Sequence, residues 1–184
     1  MAEPNPEELF DRGKDIFNFA VNGGGGEFRP DSLETKEHYI QAKEYFEKVC
    51  ELNYAKGCVN LGSLYQGEGL VIGEKNPRLK ERLKKAVQYY SKACDLNYKF
   101  GCSWLGAMQY QGKVVVKNEK QAMKKFEKAC KLGYKETCEM VTYKGLCELG
   151  HKEACEIFSL EVLCRLSDLK ACGMSYDKRK ALGF

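Results

Sequence analysis

Ten cysteines constrain the fold of this 184-residue chain more tightly than any other feature. They are Cys50, Cys58, Cys94, Cys102, Cys130, Cys138, Cys147, Cys155, Cys164 and Cys172, which form five consecutive pairs with a C-x7-C spacing. Structural zinc knuckles place their ligands closer together than this. The two histidines, His38 and His151, are too few for a three-histidine site within one chain. Disulfides within each pair are the first reading, reduced thiols the second and metal the third. Neither a metal nor a cofactor is expected. Disulfides require an oxidising compartment. The polar opening Met1 to Phe10, with Pro4 and Pro6, lacks the apolar core of a signal peptide. Either the compartment reading is wrong or the chain is a mature secreted or periplasmic form, and the second is the expectation.

Each pair sits in one local frame. Two residues after the first cysteine comes a leucine (Leu52, Leu96, Leu132, Leu149, Leu166), followed by Asn53, Asn97, Gly133, Gly150 or Ser167. Asn and Gly tolerate the left-handed conformation that ends a helix. One helix therefore stops just past each first cysteine, and another starts near the second. Before the first three pairs the apolar residues recur with helical period: Ala42, Phe46, Val49 and Cys50; then Ala86, Tyr90, Ala93 and Cys94; then Ala122, Phe126, Ala129 and Cys130. After the second cysteine, Leu61-Gly62 and Leu105-Gly106 mark a second, shorter helix. A glycine there weakens the helix by ~1 kcal/mol, which a close helix–helix contact would explain. Gln66-Gly67 and Gln111-Gly112 read as helix stops.

Cys94 to Cys130 and Cys102 to Cys138 both span 36 residues, whereas Cys50 to Cys94 spans 44. The first connection thus carries an eight-residue insertion between Gly67 and Leu83, around Asn76-Pro77. Helix pairs at such a period describe an all-α, α/α solenoid. The tail differs: Cys130, Cys147 and Cys164 are 17 apart, as are Cys138, Cys155 and Cys172. Pairing Cys138 with Cys147 instead would separate them by ~13.5 Å along a helix, beyond the ~7 Å reach of a disulfide. A helix around Glu7 to Val21 and a mobile loop from Asn22 to Asp31 precede a long helix from about Ser32 to Leu52. The expected organisation is a single repeat domain: residues 1–31 hold the N-terminal helix and glycine-rich loop, 32–148 three helix-pair repeats, and 149–184 short disulfide-linked helices. Each bridge closes a loop of about nine residues, which stabilises by ~2.6 kcal/mol in the chain-entropy model. The tail helices, with the least apolar area, should depend on them most.

The unit A-x-x-Y-Y-x-K-A-C-D-L-N-x-x-x-G-C-x-x-L-G, from Ala86 to Gly106, resembles the Sel-one-like repeat, a relative of the tetratricopeptide repeat. With its C-x7-C staple, and with the stretch Leu105 to Cys138, the chain is similar to the Helicobacter cysteine-rich proteins. The resemblance covers residues 34–140 strongly and the N-terminal helix weakly, and the 17-residue tail departs from it. Met1-Ala2-Glu3 looks like the end of the family's leader and its mature start. The resemblance implies export, disulfides within each repeat, and a right-handed superhelix with a concave face. It also implies penicillin binding and weak β-lactam hydrolysis, neither attached to a motif that can be carried over.

The residues themselves favour binding over catalysis. Serine β-lactamases use S-x-x-K together with S-D-N and K-T-G. The strings Ser167 to Lys170 and Ser175 to Lys178 occur, but neither companion motif does, and helix capping explains Ser167. C-x7-C is not the redox C-x-x-C. His151 stands where Tyr54, Tyr98 and Tyr134 stand in the earlier frames, so it is expected to pack in its loop. Trp104 is expected to pack as well. Exposed lysines on two first helices (Lys84, Lys85, Lys92, Lys124, Lys125, Lys128) could hold an anionic peptide or glycan, although a solvated face is the plainer reading. The net charge of +4 lacks the bias of a nucleic-acid binder, and no apolar run is long enough to span a membrane. The expected protein is a monomeric exported scaffold. Its expected partner is a peptide, a protein or a peptidoglycan-derived or β-lactam-like ligand on the concave face. The alternative is a weak β-lactamase.

Overall fold

The alanine–aromatic periodicity becomes helix throughout. The computed structural model describes residues 4–22, 33–71, 77–112 and 114–183. Among these, the elements are α1 (Pro6–Asn22), α2 (Leu33–Glu51), α3 (Ala55–Val71), α4 (Pro77–Asp95), α5 (Lys99–Gln111), α6 (Glu119–Lys131), α7 (Lys135–Glu148), α8 (Lys152–Arg165) and α9 (Leu169–Ala181). The glycine-rich loop and the centre of the first insertion lie outside the described residues.

Disulfides join Cys50–Cys58, Cys94–Cys102, Cys130–Cys138, Cys147–Cys155 and Cys164–Cys172, with Cα separations of 4.5–4.7 Å. Each lies beside the same turn. Asn53, Asn97, Gly133, Gly150 and Ser167 all have left-handed φ values, between +59° and +96°. In the first frame Asn53 N–H donates to Cys50 O and Tyr54 N–H to Val49 O, which is the Schellman arrangement. The other four repeat it, down to Ser167 N–H on Cys164 O and Asp168 N–H on Leu163 O. The first cysteine of each pair therefore always lies in the last turn of a helix. The following chain reverses so tightly that the second cysteine arrives opposite it.

The helical glycines explain how the units stack. A Cβ on Gly62 would stand 2.6 Å from Tyr90 Cε1, and one on Gly106 would stand 2.9 Å from Phe126 Cε1. The second helix of one unit thus has to be bare where the next unit's aromatic lies. Gly13 in α1 does the same for the first unit, since a Cβ there would stand 2.8 Å from Tyr45 Cβ and 3.1 Å from Phe46 Cε1. α1 accordingly packs on α2 as α3 packs on α4 and α5 on α6. It acts as the second helix of a half-unit.

Two expectations about helix ends part company. α5 ends at Gln111, where Gly112 adopts φ +68° and Lys117 occupies the space a Cβ would need. α3, by contrast, runs through Gln66-Gly67 to Val71. Gly67 makes no left-handed turn, and no described residue lies within 4 Å of the place its Cβ would take. A glycine permits a stop but does not impose one.

The tail is stapled at every corner rather than at every other one. α7 carries Cys138 at its start and Cys147 at its end, and α8 carries Cys155 and Cys164 in the same way. α8 packs against α7 and α9 and also reaches back to α5. The contact with α5 is aromatic, Phe158 meeting Tyr110 edge-on at 5.0 Å, and Phe158 also meets Phe126 of α6 at 6.2 Å. One core cluster runs from α2 to α6 and a second centres on α5 to α8. Leu166, in the α8–α9 turn, packs against both.

Candidate functional site

The two S-x-x-K strings are not assembled as nucleophile and base. Ser175 is fully buried and donates from Oγ to Glu161 Oε1. Lys178 pairs instead with Glu156 on α8. Glu161 is itself buried, with Arg165 Nη2 at 3.7 Å and Arg179 Nη2 at 3.6 Å. Arg179 also reaches Glu139 at 3.1 Å, and this network ties α7, α8 and α9 together. Ser167 is exposed and ends α8 in the left-handed turn that its helix-stop position implies. The Asp168 carboxylate caps the next helix, accepting from Ala171 N–H at 2.9 Å. Lys170, in the first turn of α9, is exposed.

The lysines do not form one free face. Lys84, Lys85 and Lys124 are exposed, but Lys92, Lys125 and Lys128 are half-buried. Lys128 Nζ donates to Cys94 O at 2.8 Å across the unit boundary, so it closes the carbonyl end of α4. Lys85 lies over the Tyr65 ring at 5.2 Å. His151 is exposed rather than packed, because only its backbone takes part in the turn that starts α8. Trp104 is half-buried against Tyr90 and Phe100, at 5.4 and 5.9 Å. Among the described residues no cluster of three or more metal-ligating side chains is assembled, and no helix is long and apolar enough to cross a membrane.

What the fold does assemble is a cavity of about 270 Å³ where the tail turn meets the first two units. Leu83, Met108, Val114, Leu163 and Leu166 supply its apolar walls, and Gln66, Gln111, Ser167 and Asp168 its polar edge. Gln66 is buried and fully oriented. Its Oε1 accepts from Tyr90 O–H at 2.8 Å, and its Nε2 donates to Ser167 Oγ at 3.3 Å across 101 residues of sequence. The Tyr90 hydroxyl also lies 3.3 Å from Ser63 Oγ. Burial pushes the Tyr90 phenol well above its ordinary range, so it stays a neutral donor. Part of this site had a sequence signal: both glutamines belong to the Gln-Gly pairs read as helix stops. Nothing local, however, places Leu163 to Asp168 opposite them.

No protein-family model matches the chain. The solved structure of cysteine rich protein B from Helicobacter pylori is 35% identical, covering 73% of this chain and 96% of that one, with a TM-score of 0.47. The chain belongs to the Helicobacter cysteine-rich protein family. The sequence identity carries this assignment. Among curated relatives in H. pylori, HcpC is 38% identical over 77 residues, which is 41% of this chain and 20% of that protein. The protein named Beta-lactamase HcpA is 36% identical over 74 residues, covering 40% of this chain and 22% of its own. The chain therefore spans about a fifth of the length of the curated relatives it matches. The Sel1 repeat protein from Oxalobacter formigenes shares the fold, at 21% identity and a TM-score of 0.56 over 85% of this chain and 63% of that one. The α/α solenoid is thus common ground between this chain and that Sel1 repeat protein.

Proposed function

We propose that this chain is an exported, disulfide-rich repeat scaffold that binds a peptide, protein or cell-wall-derived ligand. The observation that carries the reading is the cavity between the tail turn and the first two units, whose polar edge is held in place by the Ser63–Tyr90–Gln66–Ser167 hydrogen bonds. The Gln66–Ser167 bond joins the first unit to the tail turn across 101 positions of sequence, so the polar edge is held from both sides. The bonding of all ten cysteines supports export, since such bridges form and persist mainly in oxidising compartments. The test is calorimetric titration of the purified, oxidised chain with peptidoglycan fragments and with any partner isolated from periplasmic extract. Saturable binding is expected, and heats of dilution across both sets would refute the reading.

A second reading, weak β-lactam hydrolysis, draws on the name of HcpA and on Ser167 lying at the cavity edge. Its test is turnover of a chromogenic cephalosporin. Loss of turnover in Ser167→Ala would support hydrolysis here. Unchanged turnover in that variant would remove the cavity from the chemistry.

A further inference from the structure

The cavity has a chemical bias that narrows its occupant. Its apolar walls enclose about 270 Å³, and an apolar cavity of roughly 150 Å³ already holds benzene. One aromatic ring or branched aliphatic group with a short linker therefore fits. Asp168 is the charged residue among the lining groups. Its Oδ1 is committed to the Ala171 N–H, which leaves the other carboxylate oxygen for a ligand. No lysine, arginine or histidine stands among the described lining residues, so the charge at the rim is the negative one of Asp168. Gln66, satisfied on both its amide atoms, gives the site a fixed wall and not an adaptable one.

The geometry points to a binding site for an ammonium group attached to a single aromatic or branched apolar group, either a free small amine or the N-terminal residue of a peptide. The ring enters between Leu83 and Met108 on one side and Leu163 and Leu166 on the other. The ammonium stays at the rim, against Asp168. An occupant of this kind touches the repeats and the tail at once, so it also holds the tail turn in place. The inference rests on the binding reading above and names its ligand class.

The test uses the full oxidised chain and three probes of one shape: phenethylamine, 2-phenylethanol and 3-phenylpropionate. Binding is followed by NMR shifts of backbone amides in residues 163–168 and by hydrogen exchange of the same segment. The expected order is amine, then alcohol, then acid, with about tenfold between amine and acid, the equivalent of ~1.4 kcal/mol. Exchange in the turn should slow as the amine saturates. Asp168→Asn keeps the helix cap, since Asn caps as well as Asp. It should bring the amine down to the alcohol. Val114→Phe, a loop substitution that fills the cavity, should abolish saturable shifts for all three. The tripeptide amide Phe-Gly-Gly distinguishes the sources: tighter binding than phenethylamine assigns the site to a peptide N-terminus, weaker binding to a small amine. An amine preference that survives Asp168→Asn, or binding that survives Val114→Phe, overturns the inference. If a partner isolated for the preceding reading binds Val114→Phe undiminished, the site assignment fails while the scaffold reading stands.

Discussion

At the scale of single residues, two glycines five positions apart in α3 should respond oppositely to the same change. Gly62 is where Tyr90 of the next unit lies, and Tyr90 cannot retreat, because its hydroxyl is held by Gln66 and its ring is buried. Overpacking a fixed neighbour costs about 1–3 kcal/mol, which exceeds the ~1 kcal/mol an alanine contributes to helix propensity. Gly62→Ala should therefore lower the melting temperature. Among the described residues nothing lies within 4 Å of a Cβ on Gly67, which sits inside the helix. Gly67→Ala should raise the melting temperature by roughly 2–4 °C, the shift expected from about 1 kcal/mol in a chain of this size. Calorimetry on the two variants checks both, and a shift of the same sign in each would contradict the packing account. The contrast also marks what single residues disclose. The contact behind Gly62 was legible, because a glycine in a helical period needs a reason. The left-handed turns were legible at Asn53, Asn97, Gly133 and Gly150. Ser167 adopts the same φ without either residue's tolerance, and there only the repeated frame revealed the turn.

At the scale of elements, the bridges divide by their surroundings. Cys50, Cys58, Cys94 and Cys102 are buried, whereas the six cysteines from Cys130 onward are partly open to solvent. Thiol–disulfide exchange requires an attacking thiolate to reach a sulfur, so access orders the rates. Graded reduction followed by alkylation and mass spectrometry should open the three bridges of α6–α9 first. The two bridges of α2–α5 should open only when the helices around them do. Early loss of the Cys94–Cys102 bridge would show that burial does not protect it. Reduction of the tail should also speed amide exchange in α7, α8 and α9 while α2 to α5 remain protected, because α7 and α8 are clamped at both ends and α9 at its start. The cysteine spacing made the helix order readable and the 17-residue period made the double clamping readable. The half-unit role of α1 was missed although Gly13 carries its signal, a lone glycine in a helical stretch. The return of α8 onto α5 had no local signal at all, since it depends on Tyr110 and Phe158 meeting across the surface of a helix already placed.

At the scale of the whole molecule, tyrosines link the units to pH. Tyr89, Tyr90, Tyr98, Tyr134 and Tyr143 lie on α4, the α4–α5 turn, the α6–α7 turn and α7, and all five phenols are held above their ordinary range of 10.0. Burial is the first cause in every case. Tyr89 is pushed up to about 12 by burial, with Tyr65 and the carboxylates of Glu47 and Glu51 adding to it. Lys56 beside Tyr98, Arg165 beside Tyr134 and Arg179 beside Tyr143 pull the other way without reversing the direction. A phenol whose folded pKa is raised contributes stability that is fully present below its unfolded value. That contribution is lost as the pH climbs from about 10 towards the folded value. Because the affected rings are spread over consecutive units, the loss is distributed along the solenoid and not confined to one end. Absorbance at 295 nm through an alkaline titration should show the exposed share of the 11 tyrosines ionising near 10. The remainder should ionise together at higher pH, in step with the loss of helical circular dichroism. With the bridges intact, neutralisation should restore both signals, since the disulfides keep every turn within reach of its partner. Full ionisation near pH 10 with the helices untouched would mean that these rings are hydrated, and that the two core clusters are looser than their packing indicates.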